Sequence, residues 1–303
     1  MSTPLRKHHI DASGAALLVF VSILLGLNQV LVKLVNSGMN PVFQAGMRSA
    51  CAIAPVLVWA LWQRRKLSLS DGSLLPGLFC GLAFSLEFFL LFQAIEFTTV
   101  ARSSIMLYTM PVWLAAFAHF LIKGETMTRN RAIGLGLALS GIAVALLGNG
   151  KDSAAGEHAL QGDLMAIGSA FCWTAIALAA RLTRLSRSTP EMQLLYQIIV
   201  SAPVLLAVSA FHAPAFREMT PLLWGLFAFQ VLGIVTFSFM LWFWILKVYP
   251  ASDMASFSFL TPLFGVLFGW LILGEPLTAN VVVALVLVGA GIWLVNRRGK
   301  PKT

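Results

Sequence analysis

One stretch of this chain occurs twice, and that duplication limits the possible folds more than any other feature. From Leu121 to Ile142, ten of 22 positions are identical to Leu271–Ile292, at a shift of 150. The matches include Gly124/Gly274, Glu125/Glu275, Thr128/Thr278, Asn130/Asn280 and the pairs Gly141-Ile142 and Gly291-Ile292. Upstream, Pro111 matches Pro262 at a shift of 151, so one residue is gapped in the apolar run between. Each copy reads as an apolar helix, a Gly-Glu corner and a second apolar helix. The chain is thus expected to be built from one unit used twice, residues 1–150 and residues 151–303.

The apolar runs decide where such a unit can live. Charged residues make up 11% of the chain, against about 25% in ordinary soluble domains. A helix needs roughly 20 apolar residues to cross about 30 Å of hydrocarbon. Ten segments suit that length: 13–36, 42–62, 74–95, 100–122, 132–148, 163–182, 192–211, 222–246, 253–273 and 279–295. The longest connections, near 149–162 and 212–221, are too short for a soluble domain. The expected fold class is all-α integral membrane. The first run follows Arg6, Lys7, His8 and His9 but is longer than a signal-peptide core, so it is expected to stay as the first span. Cys51, Cys80 and Cys172 lie inside spans and read as apolar fillers. The histidines show no metal-ligand spacing. No cofactor, metal site or catalytic residue is expected.

The net charge of +9 is not a nucleic-acid signal, because its placement is one-sided. With the N-terminus inside, the tails and the 2–3, 4–5, 6–7 and 8–9 connections carry 16 of the 21 basic residues. That is the positive-inside bias, and it places both termini in the cytoplasm. Five spans per half is an odd number, so the halves must insert upside down relative to each other. The corner itself agrees: Lys123, Arg129 and Arg131 in the first copy become Leu273, Ala279 and Val281 in the second. Inverted repeats meeting near mid-membrane are a common transporter architecture, with one half rocking against the other.

Several residues sit where chemistry is expensive. Glu87 lies near the middle of span 3, where a charge costs about 2.5–3.5 kcal/mol on insertion scales. It reads either as a substrate-amine or proton site or as a partner that fixes helix packing. Arg48 comes seven residues after Pro41, roughly 10 Å into the membrane. It is expected to approach Glu87 and either hold a carboxylate or snorkel, and Lys33 is read as snorkelling to headgroups. Arg102 and Glu96, like Lys247 and Asp253, read as local pairs or interface anchors. Pro111 and Pro262 each remove a helical hydrogen bond about ten residues into a span. Ser104, Tyr108, Thr109 and Met110 surround the first, and Ser256, Ser258, Phe259 and Thr261 the second. These read as a hydroxyl-bearing, aromatic solute wall, or as kinks with hydroxyls bonded back to their own helix. Trp173 is too deep for an interfacial belt and joins the candidate site, as does Trp242 near the end of span 8. Trp113 reads as core, and Asn28 as cavity lining or interhelical glue. Glu125 and Glu275 are expected to bond the amides that open the next helix. Gly77-x-x-x-Gly81 and Gly265-x-x-x-Gly269 suit close internal helix contacts.

Ten spans in two inverted halves, each with a proline in its fourth helix and a Gly-Glu corner before its fifth, resemble the EamA family of the drug/metabolite transporter superfamily. Ser85-x-Glu87, Tyr108-x-x-Pro111 and Ala170-Phe171-x-Trp173 are similar to its aromatic amino-acid exporter branch. The resemblance implies a monomeric inner-membrane (plasma-membrane) secondary transporter of bacterial type. Its solutes would be small amphipathic metabolites, aromatic and other large neutral amino acids foremost. The residues read as substrate-binding are Glu87, Tyr108, Met110, Trp173, Arg48, Ser104, Phe259, Ser258 and Trp242. Pro111, Pro262, Glu125 and Glu275 would serve structure or gating. The alternatives are carriage of another class (drug-like amines, nucleosides, sugar phosphates) or a membrane protein that does not transport. An enzyme would need an acid/base pair, a nucleophile or a metal cluster, and none stands out.

Overall fold

A computed structural model describes residues 11–122, 125, 127–147, 157–211, 214–249, 257 and 259–296. Nearly all of them are helical. The helices are α1 (Ala12–Asn36), α2 (Pro41–Trp62), α3 (Leu74–Phe97), α4 (Val100–Leu107), α5 (Met110–Leu121) and α6 (Arg129–Leu147) in the first half. The second half has α7 (Ala159–Leu182), α8 (Pro190–Ser209), α9 (Pro221–Phe229), a π-helical segment (Gln230–Ser238), α10 (Phe239–Val248), α11 (Leu260–Leu273) and α12 (Ala279–Asn296). Counting α4–α5 as one crossing and likewise the run from Pro221, nine described spans have the length and hydropathy to cross a membrane; α11 is a shorter apolar tenth. Among the described residues, the one pairing of extended backbone is an isolated bridge between Met39 and Phe216.

Polar residues next to proline start several spans. Asn40 accepts hydrogen bonds from the Val42 and Phe43 amides at 3.0 and 3.3 Å, with Pro41 opening α2. Thr189 with Pro190 and Thr220 with Pro221 repeat the device at α8 and α9. An N-cap oxygen fills one of the unpaired amides of the first turn, and proline gives up an amide that would be unpaired there anyway. Helices α6 and α7 begin a few residues before their apolar runs, because Arg129, Asn130 and Gln161 are polar yet already helical.

Between the halves, α6 packs on α12, α2 on α8 and α4 on α11. Two further sets of contacts mirror each other between the halves. Helix α1 meets α11 as α7 meets α4 and α5, while α3 meets α7 as the eighth span meets α1. The molecule is a two-repeat membrane bundle with a pseudo-twofold relation between its halves. Small residues let backbones touch on that axis. A Cβ on Gly134 would lie 2.7 Å from the Gly291 carbonyl, and one on Gly291 would lie 2.6 Å from that of Gly134. Gly77 and Gly81 make room for Tyr196 and Val200 of α8, so that motif serves internal packing.

Two elements depart from the sequence reading. The fourth span does not merely kink at Pro111: α4 ends at Leu107, Tyr108 and Thr109 form a turn, and α5 restarts with Pro111 in its first turn. Proline is tolerated there because the amide it lacks has no intrahelical partner. The eighth span contains a nine-residue π segment that no proline announces. Thr236 and Ser238 donate their hydroxyls to the carbonyls of Val231 and Gly233, five residues back, at 2.9 and 3.2 Å.

Candidate functional site

The turn that interrupts the fourth span puts Tyr108 in the interior, about 12 Å from the start of α4 at 1.5 Å per residue. Its ring meets Trp173 of α7 edge-on, with centroids 5.8 Å apart. Its hydroxyl lies beside the side-chain amide of Gln29 on α1 and within electrostatic reach of Glu87 on α3. Glu87 and Arg48 are both buried, at 6% and 3% exposure, and feel each other's charge. No ion pair closes between them among the described residues. Instead, Arg48 stacks over Phe88 and Phe92, with its guanidinium carbon 4.3 and 4.9 Å from the ring centroids. A desolvated contact of this kind is worth about 2 kcal/mol. One turn along α2, Gln44 donates to Gln230 of the π segment at 3.2 Å, both fully buried.

Of the residues expected to form the site, Glu87, Arg48, Tyr108 and Trp173 come together. Met110 borders them, its carbonyl accepting from Thr174 on α7 at 3.4 Å. The others go elsewhere. Ser104 is buried where α4 crosses α11, against Gly265. Phe259 packs into a cluster with Val112, Ile142 and Ile292, and Trp242 into one with Leu18, Val21 and Ile245. Ser256 and Ser258 fall outside the described residues, as does Asp253. Pro262 sits in the first turn of α11. Asn28 is buried with its carbonyl oxygen unpartnered. Trp113 bonds the Thr109 hydroxyl at 3.0 Å and packs on Phe171.

The charged residues near the ends of α1, α3 and α4 correct the sequence reading in four places. We call the face where α1 begins proximal and the opposite one distal. Lys33 does not snorkel: it donates to the Ile95, Glu96 and Thr98 carbonyls and caps α3 at the distal face. Arg102 does not pair with Glu96. It is 1% exposed and forms a salt bridge with Asp163 of α7 at 2.5 Å. Arg102 also donates to the Ala145 carbonyl, and the Thr98 hydroxyl donates to Asp163 at 3.0 Å. Glu96 pairs instead with Arg217 at 3.0 Å. Glu275 bonds the amides that open a helix, but not its own next helix: it accepts from Val100 and Ala101 of α4 at 2.7 and 3.0 Å. Gly274 ends α11 with φ +67°, a conformation only glycine adopts freely. Gly269 leaves the space that the Glu275 carboxylate fills. Glu125, its counterpart, pairs with Arg131 at 2.6 Å.

Sequence reasoning missed Gln29, Gln230 and Asp163. Asp163, an acid at the start of an apolar run facing Arg102 across the bundle, carried a signal that charge counting alone does not resolve. No group of three or more potential metal ligands clusters among the described residues.

Comparison with known proteins agrees with this architecture. The family model described as "EamA-like transporter family" matches twice, over residues 12–147 and 160–297. An uncharacterized transporter of Bacillus subtilis, YoaV, is 26% identical over 91% of this chain and 94% of its own length. A Salmonella typhimurium protein named "Probable amino-acid metabolite efflux pump" is 26% identical over 92% of this chain and 93% of its own. An Escherichia coli protein of the same name is 25% identical over 94% and 95%. One solved crystal structure superposes with a TM-score of 0.65 at 19% identity, over 94% of this chain and 98% of that one, which bears on the fold alone.

Proposed function

The chain belongs to the EamA-like transporter family, and from that premise we propose that it exports amino acids with large neutral side chains, aromatic ones foremost, by alternating access. It is a multi-pass membrane protein whose partners are a small solute and lipid. The reading adds that it is a monomer in an inner (plasma) membrane, with its proximal face and both termini in the cytoplasm, as the basic bias favours. Residues 1–150 and 151–303 act as the two rocking halves.

One observation carries the substrate class. A buried acid and a buried base, Glu87 and Arg48, share a field without closing on each other, beside the rings of Tyr108, Trp173 and Phe88. A pair kept only for packing would gain most by direct contact, since separated charges in a low-dielectric interior are costly. Held apart, they match the two ends of a zwitterion, with the ammonium at Glu87 and the carboxylate at Arg48. The aromatic rings then receive the side chain. A sugar phosphate or nucleotide would need several cations, and Arg102 and Lys33 are already engaged at the distal face. The names of the Salmonella and Escherichia relatives point the same way.

Proteoliposomes holding the protein should move labelled phenylalanine or methionine faster than empty vesicles. Glu87→Gln should lower that flux at least tenfold with folded yield unchanged. Absence of flux for both solutes would discard the substrate class, and full activity of Glu87→Gln would return Glu87 to packing.

A further inference from the structure

Two residues that reach Tyr108, Gln29 on α1 and Glu87 on α3, each keep a buried side-chain oxygen without a hydrogen-bond partner, Gln29 Oε1 and Glu87 Oε2. Both atoms are acceptors. Gln29 is 2% exposed and Glu87 6%, so bulk water does not satisfy them. An interior that leaves acceptors over is complementary to a group that brings donors in, because an unpaired buried polar atom is costly. The Tyr108 hydroxyl beside the Gln29 amide occupies one end of that amide and leaves its carbonyl oxygen unengaged.

We propose that Gln29 Oε1 and Glu87 Oε2 form an ammonium subsite that requires N–H donors as well as positive charge, with Tyr108 positioning the Gln29 amide. The inference rests on the reading of the Glu87–Arg48 cavity as the solute site, and it deepens that reading by naming the head group. Glu87 supplies the charge and Gln29 reads the hydrogens. An organic cation without N–H bonds is rejected for want of donors rather than for want of charge.

The test is a thermal-shift titration of the purified, detergent-solubilised protein, since a ligand that binds the folded state raises its apparent stability. The probes are phenethylamine, its N,N,N-trimethyl derivative and 3-phenylpropanoate. Phenethylamine should bind at least about tenfold more tightly than the quaternary cation, as expected when hydrogen bonds to a charged group are lost. The anion should give a shift through Arg48 that Gln29→Met leaves unchanged. Gln29→Met, similar in size, should lower phenethylamine affinity to the level of the quaternary cation and leave the latter unchanged. If Gln29→Met does not fold, Tyr108→Phe, which releases the amide, is read by the same ratio. Equal binding of the two cations by the wild-type protein, absence of any shift with phenethylamine, or a variant that keeps the wild-type ratio would each overturn the subsite. The amino-acid reading fails separately, through absent phenylalanine and methionine flux.

Discussion

Glu125 and Glu275 stand at the same place in two copies of one corner, yet they bind different things. Glu275 crosses into the other half and caps α4 with two backbone hydrogen bonds, beside the Lys33 ammonium that caps α3. Glu125 stays at home, paired with Arg131 six residues on. The neighbours decide. In the second copy the position of Arg131 is Val281, so no cation on the following helix competes for the carboxylate. A carboxylate without a local cation is drawn to the amide-rich, positive end of a helix. The motif therefore specifies a corner and an acid, while its charged surroundings specify the acid's partner. Around Glu275 the distal face is laced across the halves, by Arg102–Asp163 and by Arg217–Glu96. Around Glu125 the described ion pair joins two residues of one corner and is partly exposed.

The contrast between the two corners can be broken from its strongest link downward. Asp163→Asn leaves the Arg102 cation buried without its counter-ion and should cost about 3–5 kcal/mol, seen as a large fall in thermal midpoint in detergent. Replacing both partners by apolar residues of similar size should recover most of that loss. Next, Glu275→Ala uncaps α4 and should cost about 1–2 kcal/mol, while Glu125→Ala should cost about 0–1 kcal/mol. Equal midpoints for the two variants would mean that the corners are equivalent after all. The smallest effect is a pH slope. Burial pushes the Glu275 carboxyl above its ordinary range, against the pull of the Ala101 and Val100 amides and of Lys33. A raised folded-state value means that the folded protein holds this proton more tightly than the unfolded chain. Its contribution is complete below the ordinary carboxylate range and is lost as pH rises through the raised value. Wild type should thus lose stability over that window relative to Glu275→Gln, and parallel pH profiles would contradict the assignment.

The membrane class, the ten crossings and the use of one unit twice are legible in the sequence. Span length and charge bias are local properties of a chain in a bilayer, and the odd number of spans fixes the inversion. Half of the candidate site is legible for a related reason: Glu87, Arg48, Tyr108 and Trp173 stand out because charges and polar rings deep in apolar runs are expensive wherever the helices pack. The rest required the tertiary structure. Gln29 looks like any polar residue until Tyr108 lies beside it, and Ser104 looks like solute wall until Gly265 covers it. Asp163 claimed Arg102 from 61 positions away, and Glu275 chose amides 174 and 175 positions away. Hydropathy and repeat register are sums along the chain, so the sequence determined them alone. Which acid meets which base depends on how helices rotate about their own axes, and only the packed bundle decides that.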